Sequence, residues 1–292
     1  MGKVSFQTSF KNEHKASYLA REIARYFNRG TALENRIETV LNHLREWTST
    51  RSLKQLDSQR IEAFVQTLKD KVANQEISRK TTENYISALN RIIEYTNFRL
   101  DKNLETISPK QYELSRGAFV YVDRAVSQGT HEKFLSFLSE KGDIRAQALM
   151  HSVILQREFG LRLRESLAIK QSTIERALET RVLHLGREDG TKSGRERNIE
   201  IWRESQYEAL KNTLDFMKEN NLTSLIPCET LREQYNFAYN VMKEFNEKYG
   251  NFHYHGERHA FAQESHKEQR SLEEIRNDLG HGRSEIVKVY VK

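Results

Sequence analysis

The chain is poor in the residues that staple or interrupt small folds. Its 292 residues include one cysteine and two prolines. A lone Cys228 cannot close an intramolecular disulfide, and no paired cysteine spacing suggests a zinc finger or a secreted scaffold, so a reducing interior is the expected compartment. Cys228 itself reads as a small buried residue. Long apolar runs are lacking as well. The opening Met-Gly-Lys-Val-Ser-Phe-Gln-Thr has no hydrophobic signal-peptide core, and no other stretch approaches the roughly 20 apolar residues of a membrane span, so a soluble, cytoplasmic protein without membrane partners is expected. Nor does one sign of charge dominate: 47 Lys and Arg stand against 41 Asp and Glu, for a formal net charge of +6 and a pI ≈ 9.2. That balance admits an anionic partner, but composition alone favours a solvated mixed-charge surface.

What the chain has in abundance is helical period. Leu33, Ile37, Val40, Leu41 and Leu44 recur on one helical face, with Thr31 and Glu34 spaced as a capping box in front of them. Asp57 is placed as the N-cap of a helix with Ile61, Phe64, Val65, Leu68 and Val72 on its apolar face, and Ser78 precedes another carrying Tyr85, Ile86, Leu89, Ile92 and Ile93. With an amphipathic stretch near residues 12–27, these form a helical unit ending about Asn97. Residues 98–130 lose the period and contain Pro109, Gly117 and Gly129, the mark of a boundary or extended connection. Phe119, Val120, Tyr121, Val122 and Val126 are apolar enough for part of it to pack on a domain. Helical patterns resume at Phe134, Phe137 and Leu138. The period changes to two around Val182, Leu183 and Leu185 and again at Ile199 and Ile201, with a polar Gly-rich turn between them, which predicts a β-hairpin over 181–202. Helices then return, the last starting at a Ser271/Glu274 capping box. The expected class is mainly α (α+β): an N-terminal helical domain over 1–110, a connection over 111–130, and a domain of helices around a small antiparallel sheet over 131–292. No internal repeat or low-complexity tract is evident.

Four segments of the second half carry ionisable residues in an ordered series: Gly160-Leu-Arg162-Leu-Arg-Glu165; Gly190-Thr-Lys192-Ser-Gly-Arg-Glu-Arg197 in the hairpin turn; His255-Gly-Glu-Arg258-His-Ala-Phe-Ala262; and Leu279-Gly-His281 followed by Tyr290. Taken singly, each has a plain explanation: a helix-surface ion pair, a solvated turn lysine, a surface salt bridge, a helix C-terminal histidine, an aromatic on a loose tail. Their order and spacing together resemble the tyrosine recombinase (phage integrase) family, with its two catalytic arginines, hairpin lysine, His-x-x-Arg box, and Leu-Gly-His-to-Tyr spacing. The resemblance covers most of the chain, although for the N-terminal helices it rests on pattern alone, as the family's core-binding domain. It implies a site-specific recombinase that cuts and rejoins DNA through a 3′-phosphotyrosyl intermediate, integrating or excising a mobile element of bacterial or phage origin.

The side chains fit that chemistry. Attack on a phosphodiester adds negative charge to an already anionic centre, so preorganised cations are needed. Arg162 and Arg258 can each hold two phosphate oxygens, and losing either should cost roughly 3 to 4 kcal/mol of transition-state stabilisation. Tyr290 would be the nucleophile. A tyrosine hydroxyl ordinarily titrates near 10 and needs a base, for which His255 is the candidate. Lys192 on its hairpin would protonate the leaving 5′ oxygen, His281 would donate to a non-bridging oxygen, and Glu165 would support the histidine and arginine side chains. The phosphotyrosyl link conserves the energy of the broken bond, so neither ATP nor a metal is required. Tyr290, so near the C-terminus, is expected to be exposed on a mobile segment.

Other chemistries are less well supported. His253, His255 and His259 have a metal-like spacing, but Glu257 stands two residues after His255 rather than one, unlike the metalloprotease helix. Gly186 to Ser193 looks like a phosphate loop but lacks the adjacent Gly-Lys and leads into a strand pattern. Two alternatives share the fold: relaxation of the type IB topoisomerase kind, and a DNA-binding protein without catalysis.

The resemblance further implies double-stranded DNA gripped between two domains, a homotetramer on paired sites, a monomer in solution, and room for accessory DNA-bending or directionality proteins. Arg79, Lys80, Thr81 and Thr82 at a helix start are candidate phosphate contacts, with a solvated cap as the equal alternative. Arg195 and Arg197 in the hairpin turn and His259 are further candidates. The sequence departs from the family in two places. Gly256 and Glu257 replace the usual Asp-Leu of the box, and only Val291 and Lys292 follow Tyr290, so subunits would associate through other surfaces or cooperate more weakly.

Overall fold

The computed structural model describes residues 7–117, 122–191, 194–281, 287 and 290. The chain divides into two compact units, Met1–Val120 and Tyr121–Lys292.

In the first unit, α1 (Glu13–Tyr26), α2 (Thr31–Thr48), α3 (Ser58–Ala73) and α4 (Arg79–Leu100) close around one core, which includes Leu19, Ile23, Ile37, Leu41, Phe64, Leu68, Leu89 and Ile93. The expected caps of α3 and α4 form: the Asp57 carboxylate accepts from the Arg60 N–H at 2.8 Å, and the Ser78 hydroxyl from that of Thr81 at 3.1 Å. Each such cap contributes about 1 kcal/mol. The Thr31/Glu34 box does not form. Thr31 is already the first helical residue and Gly30 takes the N-cap position, without a side chain to bond. The unit also runs past Asn97, because Ile107 and Leu114 join its core and the Asn90 amide brackets the Ile107 backbone, with both bonds at 2.8 Å.

In the second unit α5 spans Gln128–Lys141, α6 Ile144–Phe159, α7 Leu163–Ala168 and α8 Gln171–Thr180. The hairpin follows, β1 (Val182–Leu185) antiparallel to β2 (Arg197–Glu200) in the register Val182↔Glu200 to Leu185↔Arg197. The chain continues with α9 (Glu204–Glu219), α10 (Leu231–Tyr249), α11 (Tyr254–Lys267) and α12 (Leu272–Leu279). The protein is thus mainly helical, with a small antiparallel sheet. One core gathers around Leu155, Phe159, Leu183, Ile199 and Leu210, a second around Phe134, Val153, Phe245 and Phe252, and a third joins α11 and α12 through Phe261, Ile275 and Leu279. The Ser271/Glu274 box opens α12 as expected.

Of the stretch expected to be a connection, Leu114 is buried in the first unit and Val126 in the second, while α5 begins at Gln128. Val122 is largely exposed, and Phe119, Val120 and Tyr121 lie outside the described residues. Cys228 is only half-buried, with Sγ 3.4 Å from the Thr230 carbonyl oxygen. No helix among the described residues is long and apolar enough to cross a membrane.

Gly160 ends α6 at φ +61°, and a Cβ there would lie 2.5 Å from Phe261 Cδ1 and 2.8 Å from Leu279 Cδ2. Both the left-handed backbone and the close packing of α6 against α11 and α12 demand glycine. Gly160→Ala should destabilise the protein by about 1–3 kcal/mol, read as a lowered denaturant midpoint at unchanged slope.

Candidate active site

Three of the four motifs converge within the second unit, and backbone carbonyls bring them together. Arg258, on α11, is fully buried and donates to the carbonyls of Gly160 and Leu279. Gly160 caps α6 and Leu279 ends α12, so one guanidinium joins the C-terminal ends of two helices, where carbonyls lack helical partners and the helix dipole is negative. The same guanidinium lies 3.2 Å from His281 Nε2, just past the Gly280 turn.

Glu165 organises the arginines. It is fully buried in α7. Its Oε1 accepts from Arg162 Nη1 at 2.5 Å, and its Oε2 accepts from the Arg162 backbone N–H at 2.8 Å and from Arg197 Nη2 at 2.6 Å. These cations hold the carboxyl below the usual carboxylate range despite its burial. Burial lowers the guanidinium of Arg258 to about 9 and that of Arg197 to about 10, which leaves both charged at neutral pH. Their Nε atoms are buried with no hydrogen-bond partner among the described residues.

Tyr290 is not on a loose tail. It is 5% exposed, and together with Val287 it packs against Phe261, Ala262, Ile275 and Leu279. Its backbone N–H donates to the Val287 carbonyl at 2.8 Å. Its ring stacks on that of His259, with centroids 4.0 Å apart and planes at 19°, and its hydroxyl lies 3.3 Å from His255 Nε2. His281 flanks the same ring at 5.3 Å. Desolvation, then the positive charge of Arg258 and Arg162, lowers His255 to about 4 and His281 to about 3. Desolvation, then the neighbouring His255, takes His259 to about 4. All three imidazoles are therefore neutral at pH 7, and His255 can receive the tyrosine proton.

Lys192 lies outside the described residues, so the hairpin-turn motif is represented only by the residues on either side of it. Three expected DNA contacts are placed elsewhere. Arg197 does not project from the turn: it starts β2 and points inward, because it shares strand parity with buried Ile199. His259 is 4% exposed and is a platform for Tyr290. Thr82 is fully buried, its hydroxyl donating to the Ser78 carbonyl at 3.1 Å. Arg195 and Lys80 are exposed. Arg79 is exposed but donates to the carbonyls of Glu113 and Ser115, and the Thr81 hydroxyl pairs with that of Ser78 at 2.9 Å. Among the described residues no group of His, Cys, Asp or Glu is arranged to hold a metal ion; His255 and His259 face Tyr290 instead.

The unusual Gly-Glu pair of the box has a physical explanation. A Cβ on Gly256 would lie 2.6 Å from Val126 Cγ2 and 2.7 Å from the Arg124 carbonyl oxygen, and its own carbonyl accepts from the Val126 N–H at 3.2 Å. Glu257, fully buried, lies 3.0 Å from His131 Nδ1 and 3.2 Å from Arg157 Nη1, which also donates to the Val126 carbonyl at 2.8 Å. The departure at these positions thus fastens residues 124–126 onto α11.

A tyrosine against a neutral imidazole, beside a carbonyl-bound arginine and a carboxylate-bound one, is an arrangement suited to phosphoryl transfer by a tyrosine hydroxyl. Residues 122–264, just under half of the chain, match the family model described as Integrase. No curated protein matches the sequence. Solved structures share the fold. The Tn1549 transposon integrase in complex with transposon right end DNA is 14% identical, with a TM-score of 0.64 over 95% of this chain and 94% of that one. The XerH site-specific recombinase bound to its difH substrate is 17% identical, with a TM-score of 0.65 over 96% and 81%. A lambda integrase dimer bound to a core site is 16% identical, with a TM-score of 0.64 over 94% and 76%.

The depressed imidazoles make a direct expectation in the free protein. Histidine proton resonances of His255 and His259 should titrate at about 4 and that of His281 at about 3, against an ordinary value near 6.5. The unfolded chain binds these protons first, so folding stability should fall as pH drops from about 6.5 toward 4. Titration of all three near 6.5 would contradict the described site.

Proposed function

We propose that this chain is a site-specific DNA recombinase in which Tyr290 cuts and rejoins one strand at a time. The observation that carries the reading is the Tyr290 hydroxyl 3.3 Å from the Nε2 of a neutral His255, next to Arg258. In the cleavage step the phenolic oxygen bonds to phosphorus as its proton passes to His255 Nε2. The bond from phosphorus to the 5′ oxygen breaks, and that oxygen takes a proton from Lys192, in the role its motif implies. The products are a 3′-phosphotyrosyl link and a free 5′ hydroxyl, and attack by a 5′ hydroxyl of the second DNA reverses every transfer. Arg162, whose side chain is 28% exposed, meets the phosphate first. Arg258 is closed from solvent in this arrangement, so neighbouring side chains have to shift as phosphate enters. The Nε donors of Arg258 and Arg197, which have no acceptor among the described residues, support an anion at this place, since a buried donor without an acceptor costs about 1–3 kcal/mol.

Duplex DNA is the substrate. The three solved relatives described above carry DNA in their complexes, and the sequence pI ≈ 9.2 suits a polyanion. Exposed Arg195 and Lys80 remain the candidates for backbone contacts. Exchange between two sites implies a homotetramer assembled on DNA from monomers in the cytoplasm, with helical residues 1–110 as the core-binding part and 131–292 as the catalytic part.

Incubation with nicked suicide duplexes drawn from a sequence library, followed by sequencing of protein-linked DNA, tests the chemistry and finds the site together. The wild-type chain should form a covalent adduct without ATP or added metal, and Tyr290→Phe should form none; an adduct with Tyr290→Phe would end the proposal. Arg162→Ala or Arg258→Ala should slow cleavage by at least about 10²–10³-fold. DNA affinity should fall steeply with salt, with a log–log slope of about −0.9 per phosphate contacted, so a flat response would argue against backbone binding.

A further inference from the structure

The two arginines of the family pattern are not the only ones at the centre of this site. Arg197 is 8% exposed, and its two terminal nitrogens are divided between different motifs: Nη2 donates to Glu165 Oε2 at 2.6 Å and Nη1 to the Asp278 carbonyl at 2.9 Å. Its stem lies against the turn that precedes His281, where a Cβ on Gly280 would come within 3.0 Å of Arg197 Cδ. One planar group on β2 therefore spans the carboxylate that holds Arg162 and the helix end that presents His281.

We propose that Arg197 is a positioning residue for strand cleavage, fixing Arg162 through Glu165 and His281 through the end of α12; this rests on the Tyr290 reading above. Glu165 uses Oε1 for the Arg162 guanidinium and Oε2 for both the Arg162 backbone and Arg197. Without Arg197 the carboxylate keeps a single cation and is free to turn about it, and the Asp278 carbonyl loses a buried donor. Lysine does not substitute. It brings one point charge where two separated N–H donors reach two acceptors. The effect falls on the groups that bind the phosphate and not on the proton given to the leaving oxygen.

The test uses the full chain and two suicide duplexes, one with the ordinary phosphodiester and one with sulfur at the bridging 5′ position, a leaving group that needs no proton. Arg197→Lys should slow adduct formation by about 10–100-fold, the range for groups that orient a functional side chain, and equally on both substrates. In a Glu165→Gln background the same substitution should add little, because both act through one carboxylate. Four results would overturn the proposal: wild-type rates in Arg197→Lys, recovery on the sulfur substrate, full additivity with Glu165→Gln, or loss of a cooperative unfolding transition in Arg197→Lys, which would assign the residue to the core. Absence of adduct from the wild-type chain on either substrate would instead count against the Tyr290 reading itself.

Discussion

Three guanidinium groups of like charge occupy a site largely closed to water, and everything else in the catalytic unit depends on how their repulsion is held. One carboxylate, Glu165, bonds two of them. The rest is done by backbone. The carbonyl of Gly160 at the end of α6, and those of Asp278 and Leu279 at the end of α12, accept from Arg258 and Arg197. Helix C-termini carry about half a negative charge spread over unpaired carbonyls, which cannot be protonated away and move only with their helices. The glycines of the first and last motifs follow from this arrangement. Gly160 and Gly280 both turn left-handed, and at each a side chain would strike what the turn is built around.

The positive field so assembled also sets the state of the imidazoles. Burial first, then the charge of Arg258 and Arg162, disfavours protonation of His255 and His281, so both imidazoles are neutral when the site is empty. A phosphodiester beside these guanidinia opposes the same field. At about 4 Å and an effective dielectric constant of about 20, one negative charge favours a nearby imidazolium by about 4 kcal/mol, comparable with the depression of His255 and smaller than that of His281. An imidazole in this field becomes a stronger base when phosphate is near, and in the proposed mechanism it would hold the Tyr290 proton while the new bond forms. His259 contributes differently, through a ring stacked on that of Tyr290.

Much of this was legible in the sequence, and the misses have physical causes. Asp57, Ser78 and Ser271 cap their helices because capping is local, and the hairpin follows from period-two alternation. Arg197 was misplaced because a turn crowded with charge reads as surface. Its parity with Ile199 and Ile201 was the signal that it faces inward, outweighed by the rarity of buried arginine. Thr82 stands four residues before Ile86 and shares its buried face, which a search for helix-start hydroxyls passes over. Thr31 failed as a cap because the helix takes Gly30 for that position. Tyr290 resembled a tail, yet Val287 three residues earlier gives the tail an apolar face that anchors it on α11 and α12. Burial of a polar residue depends on partners distant in the chain, and local pattern does not name them.

The departure at Gly256 and Glu257 shows the same division between local pattern and distant partner. A buried carboxylate is costly unless it is paired, and removing one member of such a pair costs more than the pair gains, about 3–5 kcal/mol. Glu257 therefore commits His131 on α5 and Arg157 on α6, and Arg157 in turn commits Glu264 on α11 and the Val126 carbonyl. Gly256 admits the Arg124 carbonyl against the same helical turn, where no side chain could fit. The residues flanking this pair are His255, which meets the Tyr290 hydroxyl, and the buried Arg258. The first turn of α11 thus has two faces: one presents chemistry to Tyr290, and the other is fixed to α5, α6 and residues 124–126 through charge and backbone. Hydrophobic contact alone would leave that turn free to slide. Directional bonds to a buried carboxylate fix its rotation, and the rotation of this turn decides whether His255 meets the Tyr290 hydroxyl.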